Sequence, residues 1–279
     1  MNTIEVNDSK VFFVTFGSGK EWKPALKRIA RQAAMSKRFG KIVTFSEKDL
    51  TSLEFESKLQ FFSHHKRGYG LWIWKPFLIN KVFDTFPECD GVLYLDAGCE
   101  LNVNSVSLHK LEIYLEASKE YGGVGFSLPF LEKNWTSPMV LEAMDASYLG
   151  ETKQIAGGIF FLSNNLRNRS FLNDWLNWMI RDKQKYLIGE VNSNENLVGF
   201  KEHRFDQSIF SVLWKKNEMH VLEDESFWAP DWANKGKNFP IWSTRSKLYF
   251  SFKTKEPIFF CYRAVRFLLR ITSFGKINI

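Results

Sequence analysis

Cysteine is scarce in this sequence: three among 279 residues, Cys89, Cys99 and Cys261. The number is odd, and no two cysteines form the CxxC spacing typical of zinc sites and redox-active disulfides. We therefore expect free thiols of a reducing compartment rather than a disulfide framework. The first ten residues, MNTIEVNDSK, are polar and have no apolar core of a secretion signal. The expected localisation is the cytoplasm.

Long hydrophobic runs and massed charge are also lacking. No run approaches the roughly 20 apolar residues that span a bilayer. The net charge is +7, with basic residues scattered along the chain. Nucleic-acid-binding proteins carry a continuous basic patch, so we expect no nucleic-acid partner. A modest positive charge instead suits an anionic membrane surface or a phosphate-bearing substrate.

Several motifs that identify enzyme classes are missing. The sequence has no P-loop, no GxGxxG, no HExxH, and no serine in a GxSxG setting. Nothing therefore indicates a P-loop nucleoside triphosphatase, a dinucleotide-dependent enzyme, a zinc protease or a serine hydrolase.

Short apolar runs, which predict buried strands, alternate with segments of helical periodicity. Strands are predicted at 11–16, 41–45, 92–95, 123–127 and 159–163, and helices at 24–39, 72–83, 108–120, 170–185 and 206–214. This alternation predicts an α/β fold, with a central, mostly parallel sheet flanked by helices. A change of composition near residue 253 divides the chain into a 1–252 domain and a C-terminal helical extension, 253–279.

The stretch DGVLYLDAGCEL carries the first candidate site. Its apolar strand ends on Asp96, which two small residues, Ala97 and Gly98, follow. Ligands of such sheets bind beyond the carboxyl ends of the strands. A carboxylate there can hold a divalent cation that neutralises a diphosphate, and small neighbours let phosphates approach. An aspartate that caps a turn with a left-handed glycine explains the stretch equally well.

Two further stretches carry groups suited to a nucleotide or a sugar. In HHKRGYGLWIWKPF, Arg67 and Lys75 could bind phosphate, and Trp74 offers an aromatic face. The alternative is a solvated basic loop before a core helix. In QIAGGIFFLSNN, Gly157 and Gly158 could let a ligand lie against the backbone. They could equally form an ordinary turn.

A fourth stretch, HRFDQSIFSVLWKK, places Asp206 and Gln207 where a helix begins. The free N–H groups of a helix start stabilise a carboxylate. Asp206 therefore fits a reactive acid at the edge of a site and also an ordinary N-cap.

Taken in order, these four stretches resemble GT-A type glycosyltransferases over roughly residues 11–214. LYLDAG resembles their DxD motif. AGGIFFLSNN, followed by a tryptophan-containing helix and DQSIFSVL, resembles glycogenin-like and lipooligosaccharide galactosyltransferases. GYGLWIWKP followed by DGVLYLDAGCELN is similar to bacterial surface-polysaccharide transferases of lipopolysaccharide or capsule synthesis. The resemblance implies a single Rossmann-like GT-A domain.

The resemblance implies an enzyme that moves a hexose from a nucleotide sugar, expected to be a UDP-sugar, to a glycan or lipid-linked glycan. Asp206 and Gln207 are the expected catalytic residues, with retention of configuration slightly favoured over inversion. The donor site would comprise Thr15, Phe16, Gly17, Arg67, Trp74, Lys75, Asp96, Ala97, Gly98, Gly157 and Gly158. The acceptor side would comprise His203 and Arg204.

The resemblance also implies a divalent cation, Mn²⁺ or Mg²⁺, although the DxD-like motif lacks its second acid because Gly98 stands there. Asp96 is the one clear ligand. Glu100 would point the same way if the chain stays extended, and His220 is a further candidate ligand.

Two other functions remain open on the sequence. A nucleotidyltransferase on a similar sheet would carry a glycine-rich basic loop after the first strand, and FGSGKEWKP is a weak form of one. A non-catalytic module that binds glycans or nucleic acid would use the positive charge and the aromatic residues.

The extension contains Arg263, Arg266 and Arg270 at spacings of three and four, on one helical face. A basic amphipathic helix suits an anionic bilayer and would place the protein on the inner face of the cell membrane. A terminal helix packed on the domain explains the pattern nearly as well.

A chain that ends at Lys255 tests this interpretation. We expect it to lose co-sedimentation with anionic liposomes while the full chain retains it, because the three arginines supply the attraction. Neutral liposomes are the control. Undiminished binding of the shortened chain to anionic liposomes would dismiss a membrane role for the extension.

Overall fold

The computed structural model describes residues 1–50, 64–189, 199–226 and 236–249. The predicted boundary at residue 252 and the extension 253–279 lie outside the described residues, so both stay predictions. In the part that is described, no helix is both long and apolar enough to cross a membrane.

A mixed sheet of eight strands forms the centre of the molecule, in the order β1-β3-β2-β4-β8-β6-β7, with β9 beside β6. A second sheet pairs β5 with β10. The ten strands are β1 (Asn2–Glu5), β2 (Val11–Phe16), β3 (Lys41–Phe45), β4 (Gly91–Leu95), β5 (Glu100–Leu101), β6 (Gly123–Leu131), β7 (Lys153–Ile155), β8 (Ile159–Ser163), β9 (Val221–Glu223) and β10 (Ile241–Trp242).

The strand directions confirm a mostly parallel central sheet. Strands β2, β3, β4, β6 and β9 point one way, whereas β1, β7 and β8 point the other way. The reversal of β8 matters for the site. Because β8 runs antiparallel between β4 and β6, its first residues lie at the edge where β2 and β4 end.

Helices cover the sheet as the alternating pattern predicted. They are α1 (Gly19–Ser36), α2 (Gly68–Leu71), α3 (Lys75–Thr85), α4 (Ser105–Tyr121), α5 (Glu132–Trp135), α6 (Pro138–Ala143), α7 (Leu166–Ile188) and α8 (Asp206–Lys216), and α7 is interrupted by non-helical backbone at 181–184. Helix α3 begins three residues later than predicted, which puts Pro76 in its first turn. Proline is tolerated there because the N–H groups of a first turn have no acceptor within the helix.

Two hydrophobic clusters pack on opposite faces of the sheet. The alternation of side chains along a strand explains the division, because neighbours point to opposite faces. Phe12 and Phe160 belong to the cluster that contains residues of α3, α7 and α8, whereas Phe13 and Phe161 belong to the cluster that contains residues of α1 and α4. All four side chains are buried. The fold class predicted from the sequence, α/β with helices on both faces, is confirmed.

Strand β6 lies so close to α8 that its Gly125 has no room for a side chain. A Cβ there would lie 2.8 Å from the indole ring of Trp214 and 2.9 Å from the side chain of Ile155. Real Cβ atoms do not approach other atoms so closely, so the contact between α8 and the sheet depends on glycine at this position.

We expect Gly125→Ala to lower the free energy of unfolding by about 1–3 kcal/mol, the usual effect of overpacking. Denaturant titration measures it. The loss should be smaller in a Trp214→Phe background, because the smaller ring leaves space for the methyl group. Equal losses in both backgrounds would contradict the proposed contact.

Candidate active site

A cavity of about 570 Å³ opens at the sheet edge where β2 and β4 end and β8 begins. The predicted site residues that line it are Phe16, Gly17, Arg67, Trp74, Lys75, Asp96, Ala97, Gly98, Gly157, Gly158, Arg204, Asp206 and Gln207. The four stretches singled out in the sequence thus meet in one place, although their roles in chemistry remain predictions.

Lys75 joins two carboxylates at this cavity. It begins α3 and is buried, and its Nζ lies 2.8 Å from Oδ2 of Asp206 and 3.3 Å from Oδ1 of Asp96. Nζ also donates a hydrogen bond of 2.9 Å to the carbonyl of Gly157. Asp96 follows β4, and Asp206 begins α8, where Trp175 donates to its backbone carbonyl. One lysine therefore ties together three elements that are distant in sequence.

The cluster is electrically unbalanced, because one cation lies between two carboxylates. Burial raises the pKa of Asp206, Lys75 offsets part of that shift, and the charge of Asp96 raises the pKa again, so that the group titrates with a pKa of about 7. Burial alone would lower the pKa of Lys75, but the charges of Asp206 and Asp96 more than compensate and raise it. Lys75 is therefore protonated near neutral pH, where Asp206 titrates.

Tyr94 fixes the orientation of Asp96. Its hydroxyl donates a hydrogen bond of 2.8 Å to Oδ1 of Asp96. Burial and the negative charge of Asp96 raise the pKa of Tyr94 well above its ordinary value, so the phenol keeps its proton. Asp96 itself is partly exposed, with 38% of its side-chain surface accessible, and it faces the cavity.

The paired glycines before β8 are required by close neighbours. A Cβ on Gly158 would lie 2.4 Å from Oδ2 of Asp96, and one on Gly157 would lie 3.0 Å from Cα of Gln207. The amide of Gln207 accepts a bond from the N–H of Gly157 and donates one to Gln154. Gln207 thus holds Gly157 in place. The two glycines were predicted to contact a ligand, and they also allow Asp96 and Gln207 to pack closely against β8.

Aromatic side chains form one wall of the cavity. The rings of Phe16 and Trp74 have centroids 3.9 Å apart, and Tyr69 lies 6.1 Å from Phe16. Trp74 is almost fully buried, and its indole N–H donates to the carbonyl of Gly68. Tyr69 and Trp72 have positive φ angles, a conformation uncommon outside glycine. Such a wall suits a flat ring or the face of a sugar.

Two arginines lie on the side of the cavity that faces α8. Arg67 forms an ion pair of 2.7 Å with Glu202, and its guanidinium group lies 4.9 Å from the ring centroid of Phe205. The guanidinium group of Arg204 stacks on Trp135 at 4.0 Å. These contacts orient both arginines without burying their charge in the cluster around Lys75.

A buried arginine that the sequence did not single out holds the turn after Asp96. Arg28 of α1 donates hydrogen bonds to the carbonyls of Ala97 at 3.2 Å, Cys99 at 3.0 Å and Ser246 at 3.1 Å. The last bond ties the turn to residues 243–248, which we call the strap. In the sequence Arg28 looks like any basic residue beside an apolar helix face, so no pattern signals this role.

One residue predicted for the donor site, Thr15, and one predicted for the acceptor side, His203, lie outside the cavity lining. Thr15 is the second-to-last residue of β2 and is buried, whereas Phe16, the last residue of the strand, lines the cavity. His203 is buried as well, and its Nδ1 accepts a bond from the backbone N–H of Ser137. Burial lowers the pKa of His203 to about 4. This histidine fastens the loop before α8 and does not line the cavity.

The predicted metal ligands do not come together. The chain turns after Asp96, with a 2.8 Å bond from the N–H of Cys99 to its carbonyl, so Glu100 is directed away and bonds to Thr244. The ring of His220 stacks on Tyr121. Among the described residues, no three His, Cys, Asp or Glu side chains could hold a metal ion. The donors at hand therefore do not fit a resident divalent cation.

No protein-family profile matches this chain, and no curated protein sequence does either. Several solved structures have a similar outline. A glycosyltransferase involved in glycosylation of the PBCV-1 major capsid is 10% identical, with 83% of this chain and 90% of that chain covered and a TM-score of 0.47. Mouse xyloside xylosyltransferase 1 is 11% identical, with 83% and 96% covered and a TM-score of 0.43.

The bifunctional glycosyltransferase WbbM is 13% identical to this chain, with 79% of this chain and 39% of that chain covered and a TM-score of 0.41. At identities and TM-scores this low, the three likenesses carry no argument about activity. The argument for function therefore depends on the geometry of the cavity.

The raised pKa of Asp206 predicts a pH-dependent stability. The carboxyl group of Asp206 has a pKa of about 7 in the folded state and of about 4 in the unfolded chain. Between pH 4 and pH 7 the folded state therefore binds more protons than the unfolded chain. This carboxyl group should therefore lower the free energy of unfolding as pH rises through that window, by up to about 1.4 kcal/mol per pH unit.

Denaturant titrations at several pH values between 4 and 8 measure this loss as the difference between the wild type and Asp206→Asn, which cannot ionise. Asp174→Asn, on the exposed face of α7, is the matched control and should follow the wild type. Parallel pH profiles for the wild type and Asp206→Asn would contradict the assignment.

Proposed function

We propose that this protein is a glycosyltransferase that moves a hexose from a nucleotide sugar, with a UDP-sugar as the expected donor. The expected acceptor is a glycan or lipid-linked glycan of surface polysaccharide synthesis. The observation that carries the proposal is the bridge from Lys75 to Asp96 and Asp206, at a cavity with an aromatic wall and a glycine-lined floor.

The charges of this cluster match the charges that develop in sugar transfer. Breaking the bond between the anomeric carbon and the diphosphate leaves positive charge on the sugar and negative charge on the leaving group. A protonated Lys75 can stabilise the diphosphate, and the carboxylates of Asp96 and Asp206 can face the sugar. Groups fixed in this way before the reaction need no reorganisation during it.

The shape of the cavity suits a nucleotide sugar. The wall of Phe16, Tyr69 and Trp74 offers a surface for a nucleobase. Gly157 and Gly158 line the same cavity, and their lack of side chains lets Asp96 and Gln207 lie close beside it. A hexose held there would have its anomeric carbon near the two carboxylates.

The burial of Asp206 supports retention over inversion. In an inverting reaction this residue would take a proton from the acceptor hydroxyl and would need access to it. Only 4% of its side-chain surface is accessible, and Lys75 is paired with it. Those surroundings suit a residue that orients the donor sugar and stabilises its developing positive charge.

The rival functions find less support. The first amide of α1, at Gly19, already bonds a carboxylate oxygen of Glu47 at 3.2 Å, so the loop after β2 does not present a ready phosphate cradle of a nucleotidyltransferase. A purely binding module would gain nothing from burying Lys75 and Asp206, because burial costs several kcal/mol of desolvation per ion before pairing.

Asp96→Asn and Asp206→Asn should each reduce turnover at least about 100-fold, the scale expected when one electrostatic or acid–base contact is removed. Turnover is measured as release of nucleoside diphosphate from the nucleotide sugar, which transfer to water also produces. A thermal-shift panel of UDP, GDP, CMP and their sugars identifies the donor first. Asp174→Asn should keep full activity.

Circular dichroism must show that both variants remain folded. Full activity in either variant would remove that residue from the site. Failure of the wild type to bind any nucleotide or nucleotide sugar would refute the proposed function as a whole.

A further inference from the structure

The strap occupies the space that a second acid of a DxD motif would need. A Cβ on Gly98 would lie 3.0 Å from Cα of Arg245 and 3.4 Å from its carbonyl carbon. These are backbone atoms, which cannot rotate away as the end of a side chain can. A side chain at position 98 would therefore require the strap to shift by a few tenths of an ångström, and a basic residue lies against that position.

Arg245 is held against the cavity in a strained backbone conformation. Its φ angle is 54°, in the left-handed region that residues other than glycine rarely adopt. Two bonds to the carbonyl of Gly98, from the hydroxyl of Thr244 and the N–H of Ser246, fix the residues on either side. Such strain persists where the surroundings hold it, and it recurs at functional sites.

Arg245 lies beside the turn after Asp96. A Cβ on Gly98, in that turn, would lie 3.0 Å from the Cα of Arg245. Arg245 also lines the cavity beside Gly98 and Cys99. The strap thus places Arg245 in the lining of the cavity, beside the turn that follows Asp96.

A diphosphate in this cavity would require positive charge in addition to that of Lys75, because Lys75 already contacts two carboxylates. A diphosphate brings two or more further negative charges. Asp96 is the one predicted metal ligand that faces the cavity, which leaves any divalent cation without a protein ligand set among the described residues. Arginine binds phosphate through two parallel hydrogen bonds and never loses its charge.

We propose that Arg245, together with Lys75, binds the diphosphate of the donor in place of a divalent metal ion, so that nucleoside diphosphates bind without metal. The proposal rests on the proposed function and deepens it, since it assigns the charge that neutralises the leaving group. Arg245 is the phosphate ligand and specificity residue, and Arg28 positions it through the strap.

The experiment measures the Kd of UDP, GDP and CDP for the full chain by calorimetry, in EDTA and again in Mn²⁺. For the nucleotide that binds, the two Kd values should agree within about threefold. Arg245→Gln removes the charge but keeps a polar side chain, and it should weaken diphosphate binding about 10- to 100-fold. The parent nucleoside should lose far less, and Arg245→Lys should restore part of the affinity.

Lys247→Ala is the matched control. Lys247 is a basic residue of the same strap, pairs with Glu21 at 2.7 Å and is half-exposed, so its loss changes the net charge equally. It should bind the diphosphate like the wild type. Thermal melting must show that the variants remain folded.

The outcomes separate the two proposals. Diphosphate binding that disappears in EDTA and returns with Mn²⁺ overturns the metal-free site but leaves a transferase intact. Wild-type affinity in Arg245→Gln overturns the role of Arg245. No binding of any nucleoside diphosphate under either condition overturns the proposed function, and this inference with it.

Discussion

The bridge from Lys75 to Asp96 and Asp206 is the contact on which the rest of the site depends. It joins the end of β4 to the starts of α3 and α8, and its members Lys75 and Asp206 are buried. A buried ion cluster of this kind is stable only with fixed geometry, because unpaired charge in a low-dielectric interior is costly. Tyr94 and the carbonyl of Gly157 supply that geometry.

Around this cluster the molecule uses small residues to bring charged groups together. Gly158 lets Asp96 lie against the first residues of β8, and Gly98 lets the strap pass beside the same turn. Arg28 then ties the turn and the strap to α1 through three carbonyls. The result is a cavity whose acids and bases are close enough to set one another's charge state, which is what a reaction that separates charge requires.

The sequence predicted the strands and helices well where they are long and periodic, and it located the four stretches that meet at the cavity. It missed β1, β5, β7, β9 and β10, because two to four residues are too few to show a period. Thr15 and His203, which were predicted for the site, lie outside the cavity lining, since a local pattern shows which element or loop a residue belongs to but not which way it faces. Glu100 does not point the same way as Asp96, because the chain turns after Asp96 and does not stay extended.

The sequence by itself determined the α/β class and the candidate acids Asp96 and Asp206, because hydrophobic periodicity and strand ends are local features. Only the tertiary structure decided that β8 runs antiparallel, that Lys75 lies between the two acids, that Arg28 holds the turn after Asp96, and that Arg245 lines the cavity. Those facts depend on contacts between residues far apart in the chain, and local patterns carry no information about which distant groups will meet.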